Sequence, residues 1–192
     1  HFPIPTDMSN IELPKILEKR ETKLSKWLTV VERDFVSTGK KNIETYYSVR
    51  PYDYISILAV TNDQRIPLVK QYRHPLETIS LELPAGLMDL NKSPEETALI
   101  ELREETGVVA PFAELLGVLN PDPGRLENRI FCYFASNAVV DTTSKIENGI
   151  ELVWTDWNEL YQMIRDGRFT CGLQIALIAM ASLKGYIGEL KK

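Results

Sequence analysis

Apolar and polar residues alternate over Ile79-Ser-Leu-Glu-Leu83, which predicts a half-buried strand with Ser80 and Glu82 on the face away from Leu81 and Leu83. Pro84 and Gly86 are expected to end it and turn the backbone. The period then changes from two to that of a helix. Ser93 fits an N-cap, Pro94 the first helical position, and Glu96 completes an S-x-x-E capping box. Leu99 and Leu102 mark the buried stripe, and Gly107 suits the left-handed residue that closes the helix. Upstream, Ile55–Val60 and Ile66–Lys70 predict a hairpin around Asn62-Asp63. Downstream, strands are expected near Phe112–Leu119, Arg129–Ser136 and Ile150–Thr155. A helix over Asp156–Arg165 carries a D-x-x-E cap, and Gln174–Leu183 reads as an apolar closing helix.

The N-terminal part is patterned differently. Residues 9–24 read as helical or irregular, with Leu13, Ile16 and Leu17 as apolar points. Trp27–Val31 and Ile43–Tyr47 then predict two strands around a turn near Gly39. About fifty residues are too few for a confident core of their own, so this β-rich element must pack on something. The expected organisation is an element over residues 1–50 and an α/β domain over residues 51–192. The apolar surface of the N-terminal element, with Trp27, Val30, Val31, Ile43, Tyr46 and Tyr47, predicts a homodimer.

Composition narrows the function classes. A net charge of −5 over 192 residues argues against a nucleic-acid surface, which needs clustered Lys and Arg. The two histidines leave no material for a His-based zinc site or a Ser-His-Asp triad. Cys132 and Cys171 lack C-x-x-C spacing and read as reduced, buried thiols. No secretory apolar segment or membrane-length run is visible, so the expectation is a cytoplasmic protein that binds no membrane.

Glu101, Glu104 and Glu105 stand at i, i+3 and i+4 of the predicted helix and therefore share a face. Such a face is either solvated acid or a site for a hard divalent cation and a phosphate-rich substrate. A strand that ends just before this helix would deliver a backbone carbonyl to it.

The segment from Gly86 to Val108 resembles the Nudix box, G-x5-E-x7-R-E-U-x-E-E-x-G-U, in which U is a bulky aliphatic residue. Gly86, Glu101, Leu102, Glu104, Glu105, Gly107 and Val108 fall in register, while Lys92 and Ile100 stand where a Glu and an Arg are expected. Val69-Lys-Gln-Tyr-Arg73 followed by LELPAGLMD is similar to the ADP-ribose and ADP-sugar pyrophosphatase branch. So is Pro121-Asp-Pro-Gly-Arg-Leu-Glu-Asn128, with Pro123 in place and Glu127 or Asn128 near the expected acid. The resemblance spans about Ile55 to Leu183.

The resemblance implies an α/β/α sandwich with a mixed sheet and Mg²⁺-dependent hydrolysis of a nucleoside diphosphate sugar, with Mn²⁺ as an alternative ion. Its metal donors would be Glu101, Glu104, Glu105 and the Ala85 carbonyl. Arg73, Glu82, Gly86 and Glu127 would contact substrate. Trp27, Tyr46 and Arg50 would do so from the N-terminal element, shared across a dimer. The catalytic base is expected within Lys145–Glu151, where Asn148 holds the register position of the expected Glu; Glu147 and Glu151 are the candidates. A degenerate module that binds nucleotide without turnover, and a pyrophosphatase for oxidised nucleoside triphosphates, are the competing readings.

Overall fold

The computed structural model describes residues 12–89 and 91–187. The chain divides into two compact units. One runs to Pro51 and takes in Asp122–Glu127; the other comprises Tyr52–Pro121 and the chain from Asn128 onward.

The first unit is an antiparallel sheet in the order β1 (Lys15–Lys23), β2 (Thr29–Val36), β3 (Ile43–Arg50). Asp122–Glu127 runs beside β3, where Val49 N–H donates to the Arg125 carbonyl at 2.8 Å and Glu127 N–H donates to that of Val49 at 3.0 Å. The strand β1 corrects the helical or irregular expectation for residues 9–24, as far as these are described. Leu13, Ile16 and Leu17 imitate helical spacing, but cross-strand charge pairing decides the outcome. Arg20 bonds Asp34 at 2.7 Å and Glu32 at 3.3 Å on β2, and such pairs across a ladder favour the strand.

The second unit contains β4 (Tyr54–Thr61), β5 (Ile66–Arg73), β6 (Thr78–Glu82), β7 (Ala85–Leu87), α1 (Pro94–Thr106), β8 (Val108–Val109), β9 (Glu114–Leu119), β10 (Ile130–Val140), β11 (Ile150–Thr155), α2 (Trp157–Arg165) and α3 (Gly172–Leu183). A five-stranded sheet has the order β7-β4-β10-β8, with β9 also on β10; a three-stranded sheet has the order β11-β5-β6. The pair β4–β10 is parallel, so the larger sheet is mixed. Alternation along β4 sends Ile55, Ile57 and Ala59 into one core with Ala98 and Leu102 of α1. Leu58 and Val60 enter a second core with Leu160 of α2 and Leu177 and Ala181 of α3. Both faces of the strand are thus covered by helices, which makes the unit an α/β/α sandwich.

Two local expectations change. The turn between β4 and β5 exists, with Thr61 N–H bonded to the Arg65 carbonyl at 2.9 Å, but the strands do not form a ladder. β4 is paired by β7 and β10, and β5 by β6 and β11, so the chain leaves one sheet for the other. The strand β6 does stop ahead of Pro84, at Glu82, but Gly86 lies within a further strand. Pro84 and Gly86 carry the chain from β6 into β7, which pairs with β4 at Ser56, Ile55 and Tyr54.

The helix α1 forms as its caps require. Ser93 Oγ accepts the Glu96 N–H at 3.1 Å, and the Glu96 carboxylate accepts the Ser93 N–H at 2.7 Å. Gly107 closes the helix at φ 67°, a left-handed value that disfavours any residue with a Cβ.

Candidate active site

The acid face of α1 is not uniform. Glu105 lies on the buried stripe with Ala98 and Leu102 and is only 4% exposed, Glu101 is half-buried, and Glu104 faces solvent. Glu105 reaches back to the strand end, where its Oε2 accepts the Ala85 N–H at 2.9 Å. Glu101 lies directly over Gly86: a Cβ on that glycine would stand 2.0 Å from Glu101 Oε1. The two carboxylates therefore meet at Ala85-Gly86.

Their electrostatics match this crowding. Burial pushes the Glu105 carboxyl up to about 8, with Glu101 and Glu147 adding to the rise and the Ala85 N–H and Arg73 opposing it. Burial also raises Glu101, as do Glu104 and Glu147, while Lys92 opposes. Four acids bearing on one spot leave a charge deficit that a cation would fill. Among the described residues, no three acidic, His or Cys side chains are already arranged as a cage. The donor set available is two side chains and a backbone segment, and it fits a hard cation that keeps several waters.

The strand face beside this point carries a paired cation. Arg73 donates from Nε and Nη2 to the Glu82 carboxylate at 2.7 and 2.6 Å, a two-pronged bond that holds the guanidinium in one orientation and raises its pKa. Nη1 has no part in that fork. Arg73, Ser80, Glu82, Ala85 and Gly86 line a cavity of about 480 Å³ whose remaining wall includes Tyr54, Leu76, Ile130, Cys171 and Leu173. Gln71 shares this face of β5 through its register with Ser80, and its amide nitrogen is enclosed with no hydrogen-bond partner among the described residues.

The two candidate bases separate. Glu147 N–H donates to the Glu104 carbonyl at 2.9 Å, which fastens the loop to α1, and its carboxylate bears on Glu101 and Glu105. Glu151 lies on β11 and pairs with Lys70 at 3.0 Å, on the solvent side of that sheet. Lys92 and Ile100, the two departures from the motif, line one cavity of about 330 Å³ with Arg103, Glu104 and Ser144. Lys92 Nζ lies 3.2 Å from Asp89, and Arg103 bonds Asp141 at 2.9 Å.

In the first unit, Glu127 is held by Ser48 Oγ and Arg33 Nη2, each at 2.5 Å, and by Arg50 Nε at 2.9 Å. Burial pushes its pKa up, but these three bonds outweigh it and hold the carboxyl at about 2. Arg50 also pairs with Glu21 at 2.9 Å. Tyr46 donates its hydroxyl to the Gly124 carbonyl, and Trp27 is half exposed with Lys26 Nζ 4.4 Å from its ring centroid.

The sequence reading missed Cys171 and Gln174 around the cavity, and Gln71 on the strand face beside Ser80. For Gln174 a signal was present, namely one amide within the apolar run of α3.

The Nudix domain family matches residues 51–171, more than half of the chain. The chain belongs to the Nudix hydrolase family. It is 33% identical over 156 residues to the methanol dehydrogenase activator of Bacillus methanolicus, covering 81% of this chain and 78% of that one. It is 37% identical over 86 residues to the ADP-ribose pyrophosphatase of Bacillus subtilis, covering 45% of this chain and 46% of that one. Among solved structures it is similar to one titled as an ADP compounds hydrolase, with a TM-score of 0.80 at 19% identity, covering 93% of this chain and all of the other; that likeness concerns the fold.

Proposed function

We propose that this chain hydrolyses the diphosphate of ADP-ribose or a related nucleoside diphosphate sugar to a nucleoside monophosphate and a sugar phosphate, with Mg²⁺ or Mn²⁺. The observation that carries the reading is the meeting of Glu101 and Glu105 at Ala85-Gly86, beside the cavity that holds the Arg73–Glu82 fork. Glu101, Glu105 and the Ala85 carbonyl would hold the ion, with Glu104 sharing its shell. When bound, the ion neutralises phosphate oxygens and favours ionisation of an adjacent water.

The protein's own groups account for the rest. Arg73, already oriented by Glu82, offers its remaining Nη1 to a phosphate oxygen. Glu147 takes the proton as a water oxygen bonds to phosphorus, and the bridging P–O bond breaks toward the departing phosphate. Gly86 leaves room for Glu101 because it has no side chain. The polar edge of the 480 Å³ cavity, from Ser80 and Glu82, suits sugar hydroxyls.

In the first unit, Trp27, Tyr46 and Arg50 are proposed to contact the nucleoside, in a homodimer. The exposure of Ile43, Tyr46 and Tyr47 supports that reading. No described helix is long and apolar enough to cross a membrane.

A second reading, nucleotide binding without turnover, draws on Lys92 and Ile100, which line one cavity where the motif has an acid and a base. One experiment separates them. A panel of ADP-ribose, other nucleotide sugars, dinucleoside polyphosphates and dNTPs with Mg²⁺ should release monophosphate fastest from a nucleotide sugar. Binding of ADP-ribose with no product would establish the second reading instead.

A further inference from the structure

Leu83–Ala85 crosses from the sheet of β6 to the sheet of β7, so its backbone passes between ladders and depends on side chains for part of its hydrogen bonding. Gln174 supplies the decisive pair. It sits in the first turn of α3, is 3% exposed, accepts the Leu83 N–H at 2.7 Å and donates to the Leu83 carbonyl at 3.0 Å. One amide thus reproduces the double bond that a residue of an antiparallel strand would make. Next along the chain, the Pro84 carbonyl accepts the Ser56 hydroxyl at 3.1 Å and the Ile57 N–H at 2.9 Å. Ala85 follows with its N–H on Glu105.

We infer that Gln174 is a positioning residue for the metal site: by clamping Leu83 it sets where Ala85 presents its carbonyl and where Glu105 is drawn. The inference rests on the reading of Glu101, Glu105 and Ala85 as metal donors. Pro84 stiffens the link. Its ring fixes φ, which removes one of the rotations that could absorb a displacement between Leu83 and Ala85. The partners of the Glu105 carboxylate and the backbone behind the carbonyl then act as the outer support of the ion, and such supports commonly change affinity by about ten- to a hundred-fold when removed.

The test is Mn²⁺ binding by electron paramagnetic resonance on the whole chain, without substrate. Gln174→Leu keeps the bulk and removes both bonds; Gln174→Glu keeps the acceptor for the Leu83 N–H and removes the donor. Leu177→Ala is the control, because Leu177 is fully buried on the same helix, in the core that the Leu83 side chain also enters, and leaves both Gln174–Leu83 hydrogen bonds in place. Gln174→Leu should raise the Mn²⁺ dissociation constant about ten-fold or more, and Gln174→Glu by a smaller factor. Leu177→Ala should lower the melting temperature at least as far while the constant stays within about two-fold of wild type. Wild-type affinity in Gln174→Leu, or equal weakening in Leu177→Ala, would overturn the inference. Should Gln174→Leu not fold, an unchanged constant in folded Gln174→Glu overturns it equally. Because the constants are read without substrate, a wild-type chain that binds Mn²⁺ but hydrolyses no nucleotide sugar refutes the proposed activity by a separate measurement.

Discussion

The Glu105 carboxylate accepts the Ala85 N–H at 2.9 Å, tying the buried stripe of α1 to the strand end that precedes it. Burial places that carboxyl at about 8 against an ordinary 4.5. Between these values the folded chain holds a proton that the unfolded chain has released, so metal-free stability falls as pH rises from 4.5 through 8. The loss should amount to about 1–3 kcal/mol, at roughly 2–4 °C of melting temperature per kcal/mol. Mg²⁺ should restore it, and more at pH 8 than at pH 5, since the ion requires the ionised form. Glu105→Gln should flatten the metal-free profile and cut turnover by about two to four decades. Thermal melts in chelator and in Mg²⁺ at both pH values read this directly; a level metal-free profile in the wild type contradicts it.

Gly86→Ala tests the contact with Glu101. The added methyl meets the far end of a flexible side chain, so the fold should survive with a stability change under about 1 kcal/mol. The Glu101 carboxylate must swing away, and Mg²⁺ activation should shift by about ten-fold or more. Metal titrations of activity alongside melting curves separate the two effects. An unshifted activation constant would show that Glu101 does not act from its position over Gly86.

Glu147→Gln and Glu151→Gln should behave differently. The first removes the group that bears on Glu101 and Glu105 and should lower kcat by about two decades. The second loses an exposed pair with Lys70, worth about 0.5 kcal/mol or less, and should leave kcat within about two-fold. The reverse ranking would move the base to β11.

Lys92→Glu combined with Ile100→Arg should introduce an acid–base pair into the 330 Å³ cavity beside Glu104. If the present residues weaken the orientation of the acids, the double variant should gain about ten-fold in rate or metal affinity. A stable double variant without gain would show that another arrangement already orients them.

Much of the fold was readable along the chain because its causes are local. Ser93, Glu96 and Gly107 set the ends of α1 through bonds within one turn, and the alternation of Ile79–Leu83 set the strand β6. Where partners lie far away the pattern misled. Leu13, Ile16 and Leu17 have helical spacing, yet the backbone of β1 is claimed by β2. The turn at residues 61–65 is where the pattern put it, but β4 and β5 each found other partners.

The candidate site divides along the same line. Spacing alone determined that Glu101, Glu104 and Glu105 share a sector of one helix, and that a strand end precedes them. Which part of that sector is buried depends on the sheet packed against α1, where Ile55 and Ile57 of β4 meet Ala98 and Leu102. That packing draws Glu105 inward to Ala85 and leaves Glu104 in solvent. It also takes tertiary structure to fasten Glu147 to α1, to send Glu151 to Lys70, to surround Glu127 with Ser48, Arg33 and Arg50, and to bring Gln174 to Leu83. Angular position on a helix is a property of the chain; the direction of the core, and the long-range partners that satisfy buried polar groups, are properties only of the packed molecule.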